Sequence, residues 1–181
     1  MRFGTWKIRS LYRSCSLSTV ARELARYKLD LVGVQAVRWG KRGTVRTGDY
    51  IFLCGKGNET HQLGAAFFIH HKIVSAVKRE EFVSDRTLYI VLRSRLSNIV
   101  VLMCMNEMRR KMIIKRQFLW GIRAVFEDFP KYHIKVLLGD CNVKVCREDI
   151  FKPTVGNESL HQDSNDDGVR IVNFVTEKTS C

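Results

Sequence analysis

Residues 136 to 143 read VLLGDCNV. An apolar run that breaks off into Gly139-Asp140-Cys141-Asn142 has the form of a buried strand that delivers a carboxylate and a carboxamide to its exposed end. Side chains alternate along a strand, so Asp140 and Asn142, two residues apart, fall on the same side of the chain. Such a pair is either half of a phosphodiester-cleaving site or an ordinary turn, because Asp and Asn also cap turns by bonding nearby backbone amides. The other chemistry-bearing residue types do not decide between these readings. The histidines at 61, 70, 71, 133 and 161 are scattered, and His70 and His71 point to opposite faces if they lie on one strand. The six cysteines contain no Cys-x-x-Cys pair and no histidine at zinc-ligand spacing, so they read as reduced thiols.

The elements that must position Asp140 and Asn142 follow from the periodicity. Phe3 to Ile8 predicts a first strand. A helix capped by Ser16 or Ser18 follows, running to about Tyr27 with Leu17, Val20, Ala21, Leu24 and Tyr27 at helical spacing. LDLVGVQAV (29–37) is apolar on both parities after Asp30, as a strand covered on both faces is. YIFLCGKG, LGAAFFIHH, IVSAVKREEFV, LYIVLRSRL and NIVVLMCM are further short strand candidates, set apart by Gly, Asn, Ser and Asp. The period then changes to helical over Met108 to Phe129, through Met112, Phe118, Leu119, Ile122, Val125, Phe126 and Phe129. Pro130 stops that helix, HIKVLLGD returns as a strand, and a short final helix starts near Asp167 with Val169, Val172 and Phe174 as apolar contacts. Strand–helix–strand at each end with hairpins between predicts an α/β sandwich.

Composition sets the outer bounds. With 181 residues and 45% hydrophobic content the chain is expected to be one domain with a real core. Thirty-one Lys and Arg against 18 Asp and Glu give a formal charge of +13, which favours a polyanionic partner. The first ten residues lack a signal peptide's apolar run, and no stretch reaches the length of a membrane span. An intracellular protein, nuclear or cytoplasmic, not secreted and without a membrane partner, is therefore expected.

Four stretches in order, TWKIRSLY, LDLVGVQAVRW, GAAFFIHHKI and VLLGDCNVKV, resemble the endonuclease/exonuclease/phosphatase superfamily. The likeness is strongest to the AP-endonuclease-like domain of RTE-type non-LTR retrotransposons and their craniofacial-development-protein-2-like domesticated relatives. The tract FKPTVGNESLHQDSNDDGVRIVNF extends it over nearly the whole chain. The resemblance implies two packed β-sheets flanked by helices, a four-layer sandwich, here truncated at the C-terminus, so that residues 1–181 form a single incomplete domain. It also implies an ancestral Mg²⁺-dependent phosphodiesterase acting on DNA.

The resemblance assigns roles residue by residue. Asp140 and Asn142 stand where the family has its Gly-Asp-x-Asn pair, Asp140 to orient the attacking water and Asn142 to hydrogen-bond the phosphate. Lys7 stands where the family has Asn, and Ala36 where it has the metal-binding Glu. Ala36 offers no oxygen to a cation that demands octahedral oxygen coordination, and the Lys7 ammonium adds positive charge where Mg²⁺ would sit. Where relatives continue after the NIVVL strand with Asn-Val-His-Ala-Pro, this chain has Met103-Cys104-Met105-Asn106-Glu107. The family's Ser-Asp-His element has no counterpart up to Cys181.

The sequence thus predicts an impaired copy that binds no metal, is inactive, and is at most a nucleic-acid-binding remnant. The alternative is a structural or protein-interaction product of a domesticated copy with no nucleic-acid role. Arg109, Arg110, Lys111, Lys115 and Arg116 are the expected contacts to DNA or another nucleic acid, without sequence specificity. Trp6 and Trp120 are expected to pack in the core. Self-association through the sheet left open by truncation is also expected.

Overall fold

A computed structural model describes residues 1–8, 14–37, 43–55, 64–84, 87–105, 121–140, 144–145 and 163–179. It divides into two units, Met1–Asn106 with Met112–Asp140, and Glu107–Lys111 with Cys141–Cys181.

The first unit holds two β-sheets. One has five strands in the order β1-β2-β5-β4-β3, and the other four in the order β6-β7-β8-β9. In sequence they are β1 (Phe3–Lys7), β2 (Leu31–Gln35), β3 (Gly43–Thr47), β4 (Tyr50–Cys54), β5 (Ala65–His70), β6 (Val77–Phe82), β7 (Thr87–Leu92), β8 (Ile99–Met105) and β9 (Ile134–Asp140). The pairs β1/β2 and β8/β9 are parallel and the rest antiparallel. Both sheets are therefore mixed, and helices flank them. This is the expected α/β sandwich of two packed sheets.

Burial on both faces explains the unbroken apolar strands. Every residue of β2 is buried. On one side Val32 and Val34 meet α1 (Ser14–Tyr27) through Leu17, Val20, Ala21 and Leu24; on the other, Leu31 joins Phe67, Ile69, Leu88, Ile90, Val101 and Met103 between the sheets. Helix α1 starts at Ser14, earlier than the Ser16 or Ser18 expected. It ends at Tyr27, where the sequence predicts, and is closed by a Schellman arrangement. Lys28 takes a left-handed φ of 53°, its N–H donates to Ala25 O at 3.1 Å, and Leu29 N–H reaches Leu24 O at 3.5 Å. Two strand expectations change. His71, the end of one predicted strand, and Ile73-Val74, the start of the next, belong to a helical turn, α2 (His71–Val74), and the exposed stretch GTVRT is β3, which the periodicity did not reveal.

On the far side of the second sheet, residues 121–128 form α3, the described part of the predicted 108–129 helix, with Ile122 and Val125 buried. Lys135 of β9 donates to Phe126 O at 2.7 Å and Phe129 O at 3.0 Å, so an ammonium satisfies carbonyls that the helix end leaves open. Tyr89 stands edge-on to Phe129 and donates to Glu81 Oε2, while burial and that bond push its phenol up to about 12.

In the second unit the expected last helix is α4 (Asp166–Thr179). Asn165 is its N-cap: Oδ1 accepts from Gly168 N–H at 2.8 Å and from Lys144 N–H at 3.1 Å. Val172 and Phe174 are buried as expected, but Val169 is 36% exposed and is not a core contact. Among the described residues no helix is long and apolar enough to cross a membrane.

Candidate functional site at the strand ends

Parallel pairing carries the C-terminal ends of β1 and β2 to one pole of the sandwich, with Lys7 beside Gln35. It does the same for β8 and β9, with Met105 beside Asp140. Strand β9 packs against both β1 and β2, so the two pairs meet at that pole. The structure thus brings Lys7, Ala36 and the backbone of Asp140, three of the predicted site positions, to the ends of adjoining strands. Asn142 lies outside the described residues, as do Arg109, Arg110, Lys111, Lys115 and Arg116.

Gln35 joins the sheets, and reading residue types did not single it out. It is 1% exposed, and its Nε2 donates to Cys104 O at 3.3 Å. Among the described residues its buried Oε1 has no hydrogen-bond partner. Turning the amide over would set that oxygen against the Cys104 carbonyl, so the orientation is chemically determined. A buried acceptor left bare costs about 1–3 kcal/mol. The available signal was a lone amide in an otherwise apolar strand.

Gly139 sits opposite Cys104 in the register with a φ of 139°. A Cβ there would overlap the Cys104 carbonyl and lie 3.0 Å from Gln35 Nε2, so only glycine fits. The glycine before Asp140 is thus a packing requirement of the strand as well as the start of a turn.

Ala36 leaves β2 in the left-handed region, with φ at 57°. Its neighbours are pinned, Gln35 O accepting from Ile8 N–H at 3.1 Å and Val37 N–H donating to Gly64 O at 3.1 Å. For a residue with a Cβ this conformation costs about 1–2 kcal/mol. Ala36→Gly is therefore expected to raise stability by about 0.5–1 kcal/mol, the strain relieved less the extra entropy of an unfolded glycine. Chemical denaturation measures it; a loss of stability would mean that residue 36 is unstrained.

The remaining aromatic and histidine expectations sort by place. Trp6, expected in the core, is 38% exposed, because β1 is an edge strand and Trp6 lies near its site end. Trp120 lies outside the described residues, as do His61 and His161. His70 ends β5, which runs antiparallel to β2, and His133 precedes β9, so the described histidines stand at the end away from Asp140. The His70 and His71 rings do not diverge; with His70 ending the strand and His71 opening α2, they lie 4.4 Å apart. His70 Nδ1 accepts from Lys72 N–H at 3.2 Å, and burial, then His71 and Lys72, hold its imidazole below the usual range. Cys54 and Cys104 are buried and outside any disulfide, in line with reduced thiols. Among the described residues no three His, Cys, Asp or Glu side chains gather as a metal site.

No protein-family model matches the sequence. Among curated proteins, craniofacial development protein 2 of Tragulus javanicus is 25% identical over 174 residues, 94% of this chain and 29% of that protein. Its Bos taurus counterpart is likewise 25% identical, over 94% of this chain and 28% of that protein. The chain thus spans less than a third of the curated relatives it matches. Among solved structures, the endonuclease domain of TRAS1, a telomere-specific non-LTR retrotransposon, superposes with a TM-score of 0.63 at 13% identity, over 96% of this chain and 70% of that one. The AP endonuclease LMAP from Leishmania major gives 0.63 at 14% identity, over 97% and 65%. TDP2 from D. rerio, complexed with single-strand DNA product, gives 0.54 at 16%, over 86% and 64%.

Proposed function

We propose, from the premise that this chain has the endonuclease/exonuclease/phosphatase fold, that it is a degenerate copy of a metal-dependent DNA phosphodiesterase of retrotransposon origin. In this reading it no longer cleaves and at most binds nucleic acid. The observation that carries the reading is Ala36 at the end of β2. The backbone there holds a strained left-handed turn at the site pole, yet the side chain offers no oxygen. Beside it, Lys7 adds a positive charge next to Gln35. A divalent ion such as Mg²⁺ needs hard oxygen donors, one or two of them carboxylates, and Gln35 Oε1 is a single neutral oxygen. Methyl, ammonium and amide do not fit such an ion, so no catalytic step is assigned to it.

The likeness to TDP2 held with a DNA product, and the charge of +13, support DNA as the polyanion. Asp140 and Asn142 are read as retained parts of the site without a partner for chemistry. A second reading, a structural or protein-interaction product, is favoured by exposed apolar side chains at the opposite end of the second sheet, Leu96, Tyr132 and Ile134. Self-association through the sheet edges belongs to that reading too, β1 and β9 being outermost in the described sheets.

The test is nicking of supercoiled plasmid by the purified chain in Mg²⁺ or Mn²⁺. No activity above a mock purification is expected. Nicking that disappears in Asp140→Ala would show that the site still works.

A further inference from the structure

We infer that the connection between β7 and β8, together with the entry to β9, forms a second nucleic-acid contact at the end of the second sheet away from Asp140. It takes a single strand, stacking a base on Tyr132 and neutralising phosphates with Arg93, Arg95 and Lys131. The inference rests on the nucleic-acid-binding reading above and adds to it a contact apart from the strand-end pole. Antiparallel pairing sets Leu92, the last residue of β7, opposite Ile99 of β8, and parallel pairing sets Ile134 of β9 beside the same Ile99. Residues 93–98 and 131–134 are therefore neighbours. Ile134 N–H donates to Asn98 O at 3.1 Å, and Asn98 Nδ2 lies 2.9 Å from His133 Nε2, so the two segments are fastened to each other.

Their surface is basic and apolar at once. Arg93, Arg95 and Lys131 are exposed and, among the described residues, make no ion pair or side-chain hydrogen bond. Neither segment contains an Asp or Glu, so nothing within them neutralises these cations. Lys135, by contrast, is committed to the carbonyls at the end of α3 and is not counted. Between the cations stand Leu96, 99% exposed, and Tyr132, 72% exposed. The Tyr132 ring meets the His133 ring edge-on at 4.7 Å, and His133 in turn stacks on Phe129, so the phenol is presented from a fixed backing. An open aromatic face among uncompensated cations is what a single strand binds, its bases stacking while its phosphates take the charges. A duplex hides its base faces and offers the patch only phosphates. An anionic bilayer matches the charge, but the hydroxyls of Ser94 and Ser97 flank Leu96. A bilayer would strip these groups of water, whereas base edges and sugars can hydrogen-bond to them.

The experiment is fluorescence anisotropy of the whole chain in EDTA at low salt, with a labelled oligo-dT of about 12 nucleotides and with a labelled duplex of the same length. Tyr132→Ala is expected to weaken oligo-dT binding about 10-fold and to leave duplex affinity within about twofold. Arg93→Gln combined with Arg95→Gln should lower the single-strand salt slope by about 1.4, two phosphate contacts at roughly 0.7 each. Tyr132→Phe should bind like the parent. Tyr132→Leu keeps apolar bulk against His133 without an aromatic face and should fall with Tyr132→Ala; it provides the comparison should Tyr132→Ala not give the parental circular-dichroism spectrum. Parent-like oligo-dT affinity and slope in these variants would overturn the inference, leave duplex binding by another surface intact and return the patch to the protein-interaction reading. A parent chain that binds duplex but not oligo-dT would overturn it as well. So would co-sedimentation with phosphatidylserine–phosphatidylcholine vesicles that is lost in Leu96→Ser while the Tyr132 variants bind oligo-dT normally, an outcome that assigns the patch to a membrane surface. No binding of either nucleic acid by the parent chain would remove both the inference and the reading beneath it.

Discussion

Gly139→Ala is expected to cost upwards of about 4 kcal/mol, enough to unfold a marginally stable domain at room temperature. Two penalties combine. A φ of 139° is closed to residues with a Cβ, and the added methyl would occupy the position of the Cys104 carbonyl in the neighbouring strand. Relief would require β9 to move away from β8, breaking the parallel ladder that runs from Ile99 and Ile134 to Met105 and Asp140, and lifting Gln35 off Cys104. Urea denaturation and the yield of folded protein read the effect. Gly121→Ala is the matched control: in helix α3, with nothing within 4 Å of the added Cβ, it should gain up to about 1 kcal/mol. A Gly139→Ala protein as stable as its parent would mean that the end of β9 is not held as described, and with it the placement of Asp140.

The second large effect concerns binding. If Arg109, Arg110, Lys111, Lys115 and Arg116 contact phosphates, about five condensed counterions are released, and the logarithm of the affinity should fall with that of salt at a slope near −4.5. Raising salt fourfold then weakens duplex binding by about 500-fold. Replacing Arg109, Arg110 and Lys111 with Gln should bring the slope to about −2, because each removed contact takes away roughly 0.9. Scrambling the DNA sequence should change nothing, since phosphates carry no sequence information. An unchanged slope in the triple variant would place the contact on another part of the surface, such as the basic first fifty residues, with eleven Lys and Arg against three Asp and Glu.

What could be read from residue types follows burial. Strand β2 announced itself because both faces are covered and both parities are apolar, β9 because of its apolar run Val136 to Leu138, and α1 because Leu17, Val20, Ala21 and Leu24 keep the helical period. Strand β3 did not, because Gly43 to Arg46 are exposed at a sheet edge and show no alternation between core and solvent. Trp6 misled for a related reason: a tryptophan in a strand suggests core, but β1 lies at the edge and its site end is open. The candidate-site positions Lys7, Ala36 and Asp140 were picked out by motif, yet their physical setting was not legible. An alanine gives no sign that its backbone is left-handed, and the Gln35 bond to Cys104 spans 69 residues between sheets. Tertiary placement alone determines both.

The proposed function requires that the strand-end pole hold no divalent metal, and Mn²⁺ titration followed by electron paramagnetic resonance tests this directly. Hexaaqua Mn²⁺ gives a six-line signal that fades on binding to protein. The account predicts that the signal of free ion stays undiminished when Mn²⁺ is mixed with an equimolar or larger amount of the chain at submillimolar concentration. Loss of the signal at one ion per chain, reversed in Asp140→Ala and unaffected by Arg109→Gln, would contradict it and return the strand-end pole to the metal-dependent phosphodiesterases whose fold this chain shares.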